Sequence, residues 1–138
     1  MAFPGPSGRA FRSAQARGDG KLQYNNGFGI AADGSGSLFV TGISSGSWDG
    51  ALGQDPAHFY AGANDAFVLG LTDAGAYGWH TFYGSGDYDG GNAIATDGTG
   101  GIFATGYSYI PWLGPSDEEP IHAHSGGSID LFVLALGI

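Results

Sequence analysis

GFGIAADGSGSLFVTGISSGSWDG, residues 27–50, recurs as GNAIATDGTGGIFATGYSYIPWLG, residues 91–114, at a constant offset of 64 and without a gap. Twelve of the 24 columns are identical: Gly27/Gly91, Ile30/Ile94, Ala31/Ala95, Asp33/Asp97, Gly34/Gly98, Gly36/Gly100, Phe39/Phe103, Thr41/Thr105, Gly42/Gly106, Ser44/Ser108, Trp48/Trp112 and Gly50/Gly114. Identity at that density marks an internal repeat, and repeat units bury their apolar faces on one another. The match runs on downstream. Pro56 and His58 recur as Pro120 and His122, and after one inserted residue NDAFVLGL (64–71) recurs as IDLFVLAL (129–136).

Each unit reads as antiparallel β. Ile30-Ala31-Ala32 and Leu38-Phe39-Val40-Thr41 flank Asp33-Gly34-Ser35-Gly36-Ser37, a loop whose glycines can take the positive φ that hairpin turns demand. In the third strand Phe67, Leu69 and Leu71 share one face and Val68 and Gly70 the other, and Phe132, Leu134 and Leu136 repeat the pattern. Tyr77-Gly78-Trp79-His80-Thr81-Phe82-Tyr83 offers a fourth strand. No counterpart follows the second unit before Ile138, so that strand is expected from Ala10-Phe11-Arg12-Ser13-Ala14-Gln15-Ala16, which precedes the first hairpin roughly as Tyr77 to Tyr83 precedes the second.

The pattern G-x-x-I-A-x-D-G-x-G-x-[LI]-F-x-T-G followed by D-x-F-V-L-x-L resembles the SBBP-type β-propeller repeat of bacterial and environmental proteins, twice over residues 27–138. The resemblance implies an all-β fold of four-stranded blades around a central channel. The units are then 27–83 and 84–138, after a head of residues 1–26 that can complete a blade. No catalytic residue comes with the resemblance. Family members usually string many repeats in one chain, whereas two are present here, and the loop between second and third strands is long, at about 20 residues. Two blades cannot close a ring, because each sheet face expects a neighbour. The chain is therefore expected to complete a ring or a filament from copies of itself by head-to-tail contacts. Arg9, Phe11, Arg12 and Arg17 are the residues expected to serve assembly, through a strand added to the adjacent chain.

Composition narrows the function classes. With 28 glycines in 138 residues and charged residues at only 12%, long surface helices are disfavoured. There is no cysteine, so disulfides and thiolate chemistry are excluded. Arg9, Arg12, Arg17 and Lys21 are the only basic residues and all lie in the first 21 positions, which carry a net +3, while the other 117 residues carry −12. Nucleic acid needs a basic face, and this body repels phosphate. An acidic surface, on this chain or a copy, attracts the head instead. No 18-residue apolar run exists to insert in a membrane, and MAFPGPSGRAFR lacks the apolar core of a signal peptide. Acidic, lysine-poor composition together with the resemblance gives an expected place outside the cell or on its surface.

Candidate sites follow from the loops. Trp48 and Trp112 hold equivalent positions in Gly-, Ser- and Pro-rich segments. Either each indole fills the gap between blades, or it offers a stacking face to a sugar whose hydroxyls bond neighbours such as Asp49, with Tyr107 and Tyr109 extending the platform. Trp79 reads as packing. His122-x-His124 beside Asp117, Glu118 and Glu119 is permissible for a transition metal, and Asp87 with Asp89 for calcium, though solvated loop residues explain both. Asp33 and Asp97 read as turn residues. A glycosidase pair drawn from Asp87, Asp89, Asp117, Glu118 or Glu119 is conceivable, yet no nucleophile elbow or phosphate loop is present. The expected function is a non-catalytic, self-assembling structural module without a cofactor, the alternative a glycan-binding propeller.

Overall fold

The computed structural model describes residues 23–137. The described residues form seven strands and no helix: β1 (Asn25–Ala32), β2 (Leu38–Ser44), β3 (Asp65–Leu71), β4 (Tyr77–Tyr83), β5 (Asp89–Thr96), β6 (Gly101–Ser108) and β7 (Asp130–Gly137). They make two antiparallel meanders, β1-β2-β3-β4 and β5-β6-β7. Among the described residues the second sheet thus has three strands where the repeat expectation asked for four. Residues 10–16, with Arg9, Phe11, Arg12 and Arg17, lie outside the described part. No helix among the described residues is long and apolar enough to cross a membrane.

The hairpins close as the loop sequence dictates. Asp33 N bonds Ser37 O at 3.0 Å, and Gly36 takes a φ of 96° that a side chain would resist. Asp33 Oδ1 accepts from Ser35 N and Ser37 N, and Asp97 Oδ1 accepts from Thr99 N and Gly101 N in the same way. These bonds hold both carboxyls below the usual range, led at Asp33 by the Ser35 hydroxyl and at Asp97 by the Thr99 amide. Their role is the turn.

β1 begins five residues before the expected Ile30, because the glycine-rich stretch pairs with β2 on both sides of Phe28 despite its low strand propensity. A bulge lies between Gly27 and Gly29, opposite Gly42 and Thr41, and the second unit repeats it between Gly91 and Ala93, opposite Gly106 and Thr105. A Cβ on Gly42 would stand 1.8 Å from Asn26 O, and one on Gly106 would stand 1.8 Å from Gly90 O. The bulge brings a carbonyl into the space of a side chain, so both units keep glycine there.

The sheets pack face to face. One face of the first sheet carries Phe39, Thr41, Ala66, Val68 and Thr81, all buried. The second sheet meets it through β5: a Cβ on Gly29 would lie 3.0 Å from Ala93 Cα. Thr96 Oγ1 donates to Ala32 O at 3.0 Å, and Asp89 N donates to Asn64 O at 2.8 Å beside a parallel bridge between Asn64 and Tyr88. The face that the second sheet contributes holds Ile102, Ala104 and Leu134, also buried. Backbones approach closely where β1 meets β5, while toward the outer strands aromatic rings fill the gap, with Tyr83 and Trp112 centroids 5.9 Å apart. The opposite face of the first sheet has its own cluster of Trp48, Phe67 and Phe82, flanked by Val40, Tyr60 and Leu69.

Candidate functional site

Equivalent residues of the two units differ sharply in exposure. Phe39 is 2% exposed and its counterpart Phe103 is 41%; Val68 is 2% exposed and its counterpart Val133 is 67%. Leu131, which stands where the first unit has buried Ala66, is exposed as well. All three lie on the face of the second sheet turned away from the first. At the other end, Ile30 is exposed whereas its counterpart Ile94 is half-buried. Each open face is thus the repeat copy of a face that is covered inside the chain.

The two tryptophans share a local contact and little else. Trp48 stands edge-on to Phe67 at 5.8 Å and Trp112 edge-on to Phe132 at 5.2 Å, the same pair in both units. In the first unit β4 then adds Phe82, 5.3 Å from Trp48 and edge-on, and His80, stacked on it at 4.0 Å. The His80 ring is fixed: Nε2 donates to Trp48 O at 2.8 Å, and Nδ1 accepts from Tyr77 OH at 2.6 Å. Burial lowers its pKa, against the bond to Trp48, so the neutral ring is favoured. Trp48 is left 6% exposed. It is core, so of its two readings packing holds and the sugar platform does not; the adjoining Ser47 and Asp49 are exposed.

Trp112 remains half-buried, since the second sheet has no described strand in the place of β4. Tyr107 pairs across from Leu131 and Gly106 across from Phe132, so Tyr107 and Trp112 sit on opposite faces of the sheet. Tyr109 lies with Tyr107 and Tyr88, at centroid distances of 6.2 and 5.9 Å. The structure therefore does not gather Trp112, Tyr107 and Tyr109 into one platform.

Between β7 and the segment 111–124 runs a groove of about 740 Å³, with Trp112, Phe132, Glu118, Glu119, Ile121 and His122 among its walls. The corresponding space in the first unit is occupied by β4. There β4 pairs with β3 along one edge, and along the other it meets the loop: Ala57 N donates to His80 O at 2.8 Å and Phe82 N donates to His58 O at 3.1 Å. His58 Nδ1 also donates to Phe82 O at 2.9 Å, and its ring stacks on Tyr83 at 4.7 Å. His122 and Ile121 are the repeat counterparts of His58 and Ala57, and both are exposed.

The metal expectation scatters. His124 turns to Asp130 at 3.6 Å and to Ser108 O at 3.4 Å, whereas His122 is exposed in the groove. Asp87 Oδ1 accepts from Tyr88 N, while Asp89 is fully buried, so neither side chain presents an open pair. Among the described residues no three His, Cys, Asp or Glu side chains gather in a metal-holding arrangement. Glu118 closes a turn on Ser116 N, and Asp117 and Glu119 are exposed.

One cluster was not singled out in the sequence. Asp65 and Asp89 are both fully buried at the junction of the two units. Asp65 Oδ2 accepts from Ala61 N, and Asp89 Oδ2 accepts from Ser85 N and Oγ. The Oδ1 of each has no hydrogen-bond partner. A Cβ on Gly84 would stand 2.7 Å from Asp65 Oδ1 and 2.9 Å from Asp89 Oδ2, so glycine is required where the carboxyls converge. The available signal was that Asp65 and Asp130 hold the same place in both units, and Asp130 likewise closes its preceding loop, on Ser125.

Burial pushes Asp65 up to about 7, opposed by the Ala61 and Gly62 amides and aided by Asp89, and burial raises Asp89 as well. The folded state thus keeps a proton that an ordinary aspartate with a pKa of 3.8 gives up, and stability falls as pH rises from about 4 through about 7. Asp65→Asn is expected to raise the melting temperature at pH 8, with the gap to the parent closing by pH 4. At about 1.4 kcal/mol per pKa unit the gain has a ceiling of about 4 kcal/mol. Melting curves of both proteins across that range check it. A variant melting below its parent at pH 8 contradicts the assignment.

Comparison with protein-family models gives no match, and comparison with curated proteins gives none either.

Proposed function

We propose that the chain is a non-catalytic building block, a pair of propeller blades that stacks head to tail on copies of itself and needs no cofactor. One observation carries the reading. The two faces that mate inside the chain recur at its two flanks, open over Phe103, Leu131 and Val133 on the second sheet, and on the first open at Ile30 beside the half-buried Val40 and Leu69, next to the covered cluster of Trp48, Phe67 and Phe82. Exposed apolar surface loses about 25 cal/mol for each Å² left in water, and a second copy brings the complementary face. Close backbones at the inner strands with aromatic filling farther out support a blade geometry, and repetition of the contact gives either a closed ring or a filament. The acidic body, which carries no Lys or Arg beyond residue 21, supports a place outside the cell or on its surface.

The test is a charge placed on the open face. Leu131→Asp with Val133→Asp puts two carboxylates where the account seats apolar contacts, at a cost of several kcal/mol to association. Both side chains are exposed in the single chain, so the fold itself is expected to hold. The double variant is expected to run as a folded single chain, with β-sheet circular dichroism unchanged. An assembly whose mass survives both charges refutes the interface.

A further inference from the structure

Three contacts hold β4 in the first unit: the ladder to β3, the main-chain bonds of Ala57 and His58, and the His58 imidazole on Phe82 O. The second unit presents all three again, unengaged by any described strand. The free edge of β7 supplies the ladder, Ile121 and His122 supply the main chain, and the exposed His122 supplies the ring. The floor is repeated too. Trp112 lies on Phe132 as Trp48 lies on Phe67, and it lacks the cover that His80 and Phe82 give Trp48.

We propose that the groove between β7 and the segment 111–124 is the seat of a strand donated by a second copy of this chain, namely its residues 10–16. This rests on the head-to-tail stacking proposed above, and it names the segment that completes the contact. Charge favours that occupant. The first 21 residues carry a net +3, with Arg9, Arg12 and Arg17 in or next to the segment, and the groove wall carries Glu118 and Glu119 with Asp117 beside them. Phe11 is the large apolar side chain available to cover Trp112.

Connectivity decides between the chain's own head and a neighbour's. β4 leads to β5 through residues 84–88, and in that short link the chain crosses from one sheet to the sheet packed on its face. Residues 17–24 separate the proposed strand from β1, so the equivalent crossing places residues 10–16 in whichever sheet covers the open face of the first. In the stack that sheet is the second sheet of the neighbour. Main-chain pairing of this kind supplies affinity, and the side-chain pockets supply register.

The chain has no cysteine, which makes cross-linking clean. Two full-length variants, Ser13→Cys and Ile121→Cys, carry different tags, are co-expressed, and are treated with a short bismaleimide. The expected product is a covalent pair containing one chain of each kind. Ser13→Cys combined with Ser35→Cys, at an exposed hairpin tip, is expected to give at least tenfold less. Equal yield from both combinations overturns the seat, and so does a particle larger than one chain that gives no Ser13–Ile121 product. That last result leaves the stacked faces standing. Cross-linking confined within single chains of the Ser13→Cys/Ile121→Cys double variant overturns donation between copies. A parent that scatters light as a single chain refutes the stacking and the donated strand together.

Discussion

Trp48→Ala is expected to lower the stability of the chain by roughly 3–5 kcal/mol, the range for truncating a large buried aromatic. Its ring touches Phe67, stacks on His80 at 4.0 Å and meets Phe82 edge-on, so removing it opens a cavity at the centre of the first unit's own cluster. The bond from His80 Nε2 to Trp48 O also depends on that loop staying where the indole anchors it. Trp112→Ala, the same change one repeat later, is expected to cost the isolated chain only about 1 kcal/mol, because the half-buried ring has groove on one side. Under the proposed stacking, its larger effect is expected on association. Urea denaturation of both variants at one fixed chain concentration measures the contrast, and equal losses would show that the repeat makes the two tryptophans alike.

Gly106→Ala is expected to be at least as damaging, at more than about 3 kcal/mol, through overpacking against rigid backbone. The added methyl would sit 1.8 Å from Gly90 O, and relief requires undoing the bulge that sets the register of β5 on β6. Slipping that strand by one residue turns Ile94 away from the face it shares with Ala104 and Leu134. Gly34→Ala is the control, since nothing lies within 4 Å of its missing Cβ; it is expected to change stability by less than about 0.5 kcal/mol. Folding yields and denaturation midpoints separate the two. A Gly106→Ala protein as stable as its parent would remove the bulge as the reason both units keep glycine there.

Alternation made β3 and β7 legible in the sequence. Tyr77 to Tyr83 was read at its true bounds, and the split of Phe67, Leu69 and Leu71 from Val68 and Gly70 matches the two faces of β3. The 64-residue offset likewise anticipated matching hairpins and the shared Trp–Phe contact. What escaped was whatever depends on partners distant in the chain. Trp48 stands in a Gly- and Ser-rich loop that leaves packing and exposure both open, and the choice is made by His80 and Phe82, more than thirty residues on. Asp65 passes unremarked and Asp89 reads as a loop carboxylate paired with Asp87, because nothing local says that the start of β3 meets the start of β5 at Gly84. Gly42 and Gly106 showed as identical columns, but their cause, a bulge in the facing strand, is a property of pairing rather than of composition.

The native mass of the unmodified chain, followed by light scattering from sub-micromolar to tens of micromolar, tests the central claim most directly. Faces that mate within the chain and recur open at its flanks predict an integer multiple of 14.0 kDa or a filament growing with concentration. A single-chain mass throughout that range would contradict the account.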